Sequence, residues 1–316
     1  MPASGSRLVV YAALVGNVLI AAAKFVAAAL TGSSAMWSEG VHSLVDGTED
    51  ALLLYGLHRA ALPPDPAHPF GHGRELYFWS FIVALVALAL GAGATCFEGI
   101  LRLRSPAPIH AGGINYAVLG LAALFDGTSW LLAVREFRAR KGSLGYASAV
   151  HRSKDPSTFS VLLEDSAALL GVLIAFLGLL GEQVFDAAWL DGAASIGIGV
   201  VMAASAAILA RETSELLIGE PAHPRVREGI LRIAAATPGV RNANGVLTVQ
   251  LGPDQVVATL SAEFEDGLTT PQIEDAIRHI EDEAKRERGE IVALFVKPQT
   301  ASTWSRRRAR LERAAG

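Results

Sequence analysis

Apolar residues fill the first two thirds of the chain in six blocks, at 8–30, 35–58, 77–101, 114–134, 158–180 and 187–210. Each block is close to the roughly 20 residues a helix needs to cross the hydrocarbon core of a bilayer. The pattern predicts six membrane-spanning helices. After Arg211 the periodicity changes. Residues 222–237 place their apolar positions at helical spacing, and GVLTVQLGPDQVVATLSAEF alternates like two strands about a Gly-Pro-Asp turn. TTPQIEDAIRHIEDEAKRERG opens with a threonine cap and a proline, so it reads as a helix, and EIVALFVKP reads as a last strand. The order α-β-β-α-β predicts a compact two-layer domain close to a ferredoxin-like arrangement. The expected fold class is an α-helical integral membrane protein. A six-transmembrane-helix bundle (residues 1–211) is followed by a small cytosolic α/β domain (212–299) and a basic tail (300–316), frayed or surface-bound.

The second block does not fit a plain lipid anchor. Within MWSEGVHSLVDGTEDALLLYGL stand Glu39, His42, Asp46, Glu49 and Asp50. At about 100° per residue all five fall in a wedge about 100° wide. An acid facing lipid at mid-depth costs roughly 2.5–3.5 kcal/mol even on lenient scales, so the wedge must face protein or a water-filled cavity. His42 and Asp46, four residues apart, present an imidazole and a carboxylate from adjacent turns, half of a tetrahedral shell suited to zinc or a neighbouring divalent metal. Three readings of the wedge stand: metal or proton transport, structural pairing with a partner such as Lys24, and intramembrane catalysis. The last lacks a nucleophile, and neither HExxH nor GxSxG occurs.

Further acids interrupt other blocks. Glu164 and Asp165 lie in the fifth, pointing about 100° apart, and Asp126 lies in the fourth. Carboxylates from three spans favour one common central site. Glu98 and Asp191 lie nearer span ends, where structural or solvated roles are expected. Between the second and third blocks, PPDPAHPFGHGRE sets Asp65, His68 and His72 at D-x2-H-x3-H spacing, a set that can hold a divalent ion or simply form a solvated turn.

Composition agrees with a membrane protein carrying some soluble mass. Of 316 residues 51% are hydrophobic and 18% charged, and the mean hydropathy is +0.37. A net charge of −4 gives no reason to expect a nucleic-acid partner. The single cysteine, Cys96, forms no internal disulfide and suits a small buried position. No signal peptide is expected, because the first apolar block is too long for one. Basic residues cluster after the fourth block (Arg135, Arg138, Arg140, Lys141, Arg152, Lys154), with Arg7, Arg59, Arg74 and Arg211 on the same side if spans alternate. Arg102 and Arg104 lie opposite, so both termini are expected in the cytoplasm of a cell with the protein in its plasma or inner membrane.

GSSAMWSEGVHSLVD, HPFGHGRELYFWSF, NYAVLGLAALFDGTSW, SKDPSTFSVLLEDSAALLG and ARETSELLIGE together resemble the cation diffusion facilitators, a family of zinc and other divalent-metal transporters, over nearly the whole chain. The resemblance implies a homodimeric antiporter in the lipid bilayer that exports a divalent cation, Zn2+ foremost, in exchange for protons, and no enzyme. It implies a central site with two ligands from span two, His42 and Asp46, and two from span five. Asp165 matches one of these, but the position four residues earlier is Val161, which cannot coordinate. The site is then expected to use three protein ligands and water, or to draw an oxygen from Glu164, as the branch with a Glu-Asp pair in the fifth helix suggests. Manganese, iron or cobalt as cargo, or a transport-incompetent regulator, are the alternatives. Asp65, His68 and His72 match the family's interfacial metal site. The cytosolic domain has only His223 and His279, so it is expected to dimerise without a binuclear zinc site.

Overall fold

The computed structural model describes residues 4–106, 112–142 and 145–314. Residues 1–3 of the expected transport domain, 315–316 of the tail, and the Arg7 and Arg140 side chains counted in the charge bias lie outside the description. The chain divides into two compact units, Met1–Arg59 with Glu75–Ser214, and Ala60–Arg74 with Glu215–Gly316.

The first unit is helical: α1 (Ser4–Thr31), α2 (Ser34–Ala60), α3 (Arg74–Val86), a π-helical segment (Ala87–Ala92), α4 (Gly93–Arg104), α5 (Gly112–Lys141), a short α6 (Tyr146–Arg152), α7 (Pro156–Phe185) and α8 (Trp189–Ile218). The six apolar blocks fall on its long helices. Among the described residues, Arg74–Arg104, Gly113–Ala139, Phe159–Phe185 and Trp189–Ile218 are long and apolar enough to cross a membrane. The described apolar part of α1, Gly16–Thr31, is shorter. Helix α2 misses that standard because of the acids in its wedge. Leu121, Leu124, Leu131, Leu173 and Leu177 are exposed on the outside of the unit, as lipid-facing positions should be. Inside, small residues such as Ala27, Ala35, Ala122, Ala175 and Ala194 dominate the core. Where α4 crosses α8, a Cβ on Gly99 would come within 2.9 Å of the Gly192 carbonyl, and one on Gly199 within 2.4 Å of Cys96 Sγ. Contact that close needs glycine on one side, and Cys96 serves as the small packing residue expected of it.

The second unit follows the expected order. Helix α9 (Pro224–Ala236) precedes β1 (Val240–Gly252), β2 (Gln255–Phe264), α10 (Thr270–Glu287) and β3 (Ile291–Pro298). Strands β1 and β2 pair antiparallel through the Gly252–Gln255 turn. Strand β3 pairs parallel with β2 after the α10 crossover, as a β-α-β unit requires. Thr269 and Gln272 close the predicted cap of α10 as a reciprocal box. Val256, Ala258, Leu260 and Ala262 alternate inward from β2 onto Ile230, Ile233 and Ile280 of the two helices. On the opposite sheet face, Leu247, Val249 and Phe295 stay exposed. The tail is ordered as α11 (Ala301–Ala314) rather than frayed. Its Trp304 ring lies where a Gly245 Cβ would be, within 2.6 Å, so one aromatic anchor on a glycine of β1 holds an otherwise arginine-rich helix.

Helix α2 begins against α8. Asp191 of α8 is fully buried and accepts from the Ser34 amide (2.6 Å), the Ser34 hydroxyl (2.8 Å), the Ser33 hydroxyl (2.6 Å) and the Ala35 amide (3.1 Å). Arg102 Nε lies 3.5 Å away. This is an N-cap supplied by another helix, satisfying amides that α2 cannot satisfy itself and fixing the rotation of the helix that carries the wedge. Replacing Asp191 with Ala should destabilise the detergent-solubilised protein by about 2 kcal/mol or more. Asp191→Asn, which keeps an acceptor oxygen, should recover part of it, as read by thermal unfolding. Equal losses in the two variants would argue against a capping role.

Candidate metal centre

The fixed rotation of α2 divides the wedge. Glu39, fully buried, pairs with buried Lys24 of α1 at 2.8 Å, and the Lys24 ammonium also donates to Ser43 at 2.8 Å. Asp50 accepts from Asn17 of α1 at 2.9 Å. These two acids are held by α1, so the structural-pairing reading describes them. His42, Asp46 and Glu49 (positions i, i+4 and i+7 of one helical stripe) line a cavity together with Glu164 and Leu163 of α7, Ala87 at the start of the π-helical segment, and Met202, Ser205, Ala206 and Leu209 of α8. Its volume of about 20 Å³ is room for one water or one ion. A π-helical segment beside such a cavity is a common functional marker.

His42 Nε2 faces Asp46 Oδ1 at 3.6 Å, longer than a hydrogen bond, and Nδ1 is buried with no hydrogen-bond partner. Helix α7 comes close because Gly171 has no side chain: a Cβ there would lie 2.5 Å from Glu39 Oε1 and 3.4 Å from His42 Nδ1. Glu164 lines the cavity opposite Glu49. Asp165 turns to α5 and accepts from Ser129 at 2.8 Å. Asp126 of α5 is near enough to Lys24 to interact with it, and its Oδ2 has no hydrogen-bond partner. The structure thus brings together His42, Asp46 and Glu164 of the expected ligands and adds Glu49, while Asp165 stands one step round the helix. Glu49 was visible in the wedge, but nothing in the spacing separated it from Glu39 and Asp50; only the partners on α1 do that.

The loop residues come together fully. Asp65 forms a turn, its Oδ1 accepting from the amides of His68 (2.6 Å) and Ala67 (2.8 Å). His68 Nδ1 lies 3.3 Å from Asp65 Oδ1, and His72 Nε2 lies 3.0 Å from Asp65 Oδ2. The two rings sit 4.1 Å apart. Donor atoms of all three lie within 4.8 Å of one another, tight enough to hold a metal ion. Within the second unit this loop lies against the β1–β2 turn: a Cβ on Gly252 would meet Gly73 Cα at 3.2 Å, and Phe70 packs edge-on against Phe295.

A bundle of apolar helices keeping an imidazole and three carboxyls round one small cavity has the makings of a membrane transport protein for cations. The model of the cation efflux transmembrane domain matches residues 10–218, and the chain belongs to that family, which consists of transporters and not enzymes. It is similar to the human protein named proton-coupled zinc antiporter SLC30A9, mitochondrial, with 32% identity over 268 residues, 84% of this chain and 47% of that one. Metal tolerance protein C4 of Arabidopsis thaliana is 31% identical over 216 residues, 68% of this chain and 47% of its own. The chain spans about half the length of these curated relatives. The cation-efflux pump FieF of Klebsiella pneumoniae (strain 342) is 28% identical over 276 residues, 83% of this chain and 85% of its own.

The loop makes a pH prediction. Asp65 is pulled down to about 2, first by the backbone hydrogen bond from His68, against the next-largest effect of desolvation, and then by those from His72, the His68 ring and Ala67. A carboxyl depressed in the folded state stabilises the turn above its unfolded value near 4 and loses that contribution as pH falls through about 2. Between pH 7.5 and 5 Asp65 is therefore ionised and adds no pH dependence of its own to binding at the loop. In zinc titrations of the full chain, Asp65→Asn should weaken loop binding about equally at every pH in that range. A loss confined to the upper end of the range would contradict this.

Proposed function

We propose that the chain is a proton-coupled antiporter that expels a divalent metal cation, with Zn2+ the favoured cargo, by alternating access as a homodimer. The observation that carries this is the cavity lined by His42, Asp46, Glu49 and Glu164 inside an apolar bundle. The names of the human and Klebsiella relatives support the cargo class. His42 binds metal only when neutral, and free imidazole titrates near 6.5. The carboxylates offset the charge of the dication. A site that takes either metal or protons couples the two flows once both forms can reorient. Asp165 is the second acid of α7, held by Ser129 in this state and available if α7 rotates. Helices rocking about the site give the two access states, and the small-residue crossing of α4 on α8 permits sliding.

Asp65, His68 and His72 are read as a metal site at the membrane boundary on the cytosolic side. The dimer reading rests on the sheet face where Leu247, Val249 and Phe295 stay largely exposed, since exposed apolar patches of this kind often mark interaction surfaces. On this reading residues 1–211 transport, 212–299 dimerise and the basic tail follows. The basic bias supports a reading in which both termini lie on the cytosolic side, with the protein in a plasma or inner membrane. Three carboxyls to one imidazole also suit manganese, iron or cobalt, a second reading that a metal series resolves. In proteoliposomes the wild-type protein should exchange zinc for protons, and Asp46→Ala, as a folded protein, should lose at least about 90% of the flux, the effect of removing a charged cargo ligand. Normal flux through Asp46→Ala would remove the cavity from the pathway. A silent wild type would favour a regulatory homologue.

A further inference from the structure

Val161 leaves the cargo site short of one side chain, since α7 offers an apolar residue where the resemblance expects a ligand. The opposite wall supplies a candidate. Glu49 lies on the same stripe of α2 as His42 and Asp46, is 3% exposed, and lines the same cavity. Glu164 lines the same cavity, and no ion pair joins either glutamate to a basic side chain among the described residues. Two carboxylates facing one small space repel each other, and a bound cation between them relieves that repulsion. A second observation points to the same place. His42, also 3% exposed and lining the cavity, has its Nδ1 buried with no hydrogen-bond partner, while Nε2 faces Asp46 at 3.6 Å. A buried ring nitrogen without a partner is costly unless it meets a ligand.

We propose that Glu49 is a direct ligand of the transported cation and, with His42, Asp46 and Glu164, completes a set of one imidazole and three carboxylates. This rests on the cavity being the cargo site. The missing ligand of α7 is replaced from α2, one turn along from Asp46, and the site shifts towards oxygen. Such a set binds zinc and accepts the harder Mn2+ better than a site with more imidazoles. The ligand atoms round the cavity do not form a cluster within 4.8 Å as those of the loop do, so binding draws Glu49 and Glu164 inward.

The test is calorimetric titration of the full chain in detergent with Zn2+ and with Mn2+, in a background carrying His68→Ala and His72→Ala so that the loop is silent. Glu49→Gln is nearly isosteric, and its amide can donate to Glu164, so folding should survive. It should weaken zinc binding about tenfold or more and manganese by a larger factor. Glu49→Asp should stay within a few-fold of the parent for zinc while losing more for manganese, so that its zinc-to-manganese ratio rises, and adding Val161→His to Glu49→Gln should restore zinc but not manganese. Should Glu49→Gln fail to fold, the zinc-to-manganese ratio of Glu49→Asp decides instead: an unchanged ratio overturns the proposal and a raised one supports it. Parent-like binding of both metals by Glu49→Gln would overturn the proposal, and loss of binding by Asp46→Ala in the same series would leave the transport reading intact. Unchanged zinc affinity with altered proton release would make Glu49 a proton carrier and not a ligand. Absence of binding in the parent would overturn both.

Discussion

An ionised side chain inside a bundle of apolar helices costs several kcal/mol unless it is paired, bonded or put to use, and the arrangement of the first unit follows from that constraint. Lys24 and Glu39 neutralise each other at 2.8 Å. Asp191 spends its oxygens on the start of α2, Asp50 is held by Asn17, and Asp165 by Ser129. Once these are accounted for, His42, Asp46, Glu49 and Glu164 remain together round one cavity. The pairs are what make that remainder meaningful. They fix α2 in rotation and depth, so that only one stripe of its wedge reaches the space between α7 and α8.

The proposed alternating access would need helices that are firmly oriented and yet able to slide. Different contacts in the structure answer to the two demands. Orientation comes from the buried polar contacts of α2 with α1 and α8. Mobility can come from alanine and glycine crossings, such as Gly99 on Gly192, and from the π-helical segment that starts at the cavity-lining Ala87. Gly171 brings α7 onto Glu39 and His42 without a clash, so a shift of α7 would be felt at both the ion pair and His42.

Much of this was legible in the sequence. The six apolar blocks and the α-β-β-α-β order of the second unit follow from periodicity, because burial on one face imposes a repeat of 3.6 or 2 residues. The i, i+4 spacing of His42 and Asp46 and the Asp65–His68–His72 spacing are local and equally readable. What the sequence withheld depends on partners far along the chain. Asp191 as the cap of Ser34 spans 157 positions, and it read as a span-end acid with a structural or solvated role. Glu49 was indistinguishable from Glu39 and Asp50 until α1 claimed those two. Asp165, matched by resemblance, points instead to Ser129, and its neighbour Glu164 lines the cavity. The ordering of the tail as α11 rests on Trp304 meeting Gly245 across the sheet edge, a contact no charge count foretells.

The central claim is that the cation is held in the first unit by His42 and carboxylates alone. Zinc K-edge absorption of the full chain, loaded with one equivalent of Zn2+ in the His68→Ala, His72→Ala background, tests it most directly. The account predicts a shell of oxygen donors with a single imidazole, and loss of that imidazole signature in His42→Ala. Two or more imidazoles in the shell, or a shell unchanged by His42→Ala, would contradict it.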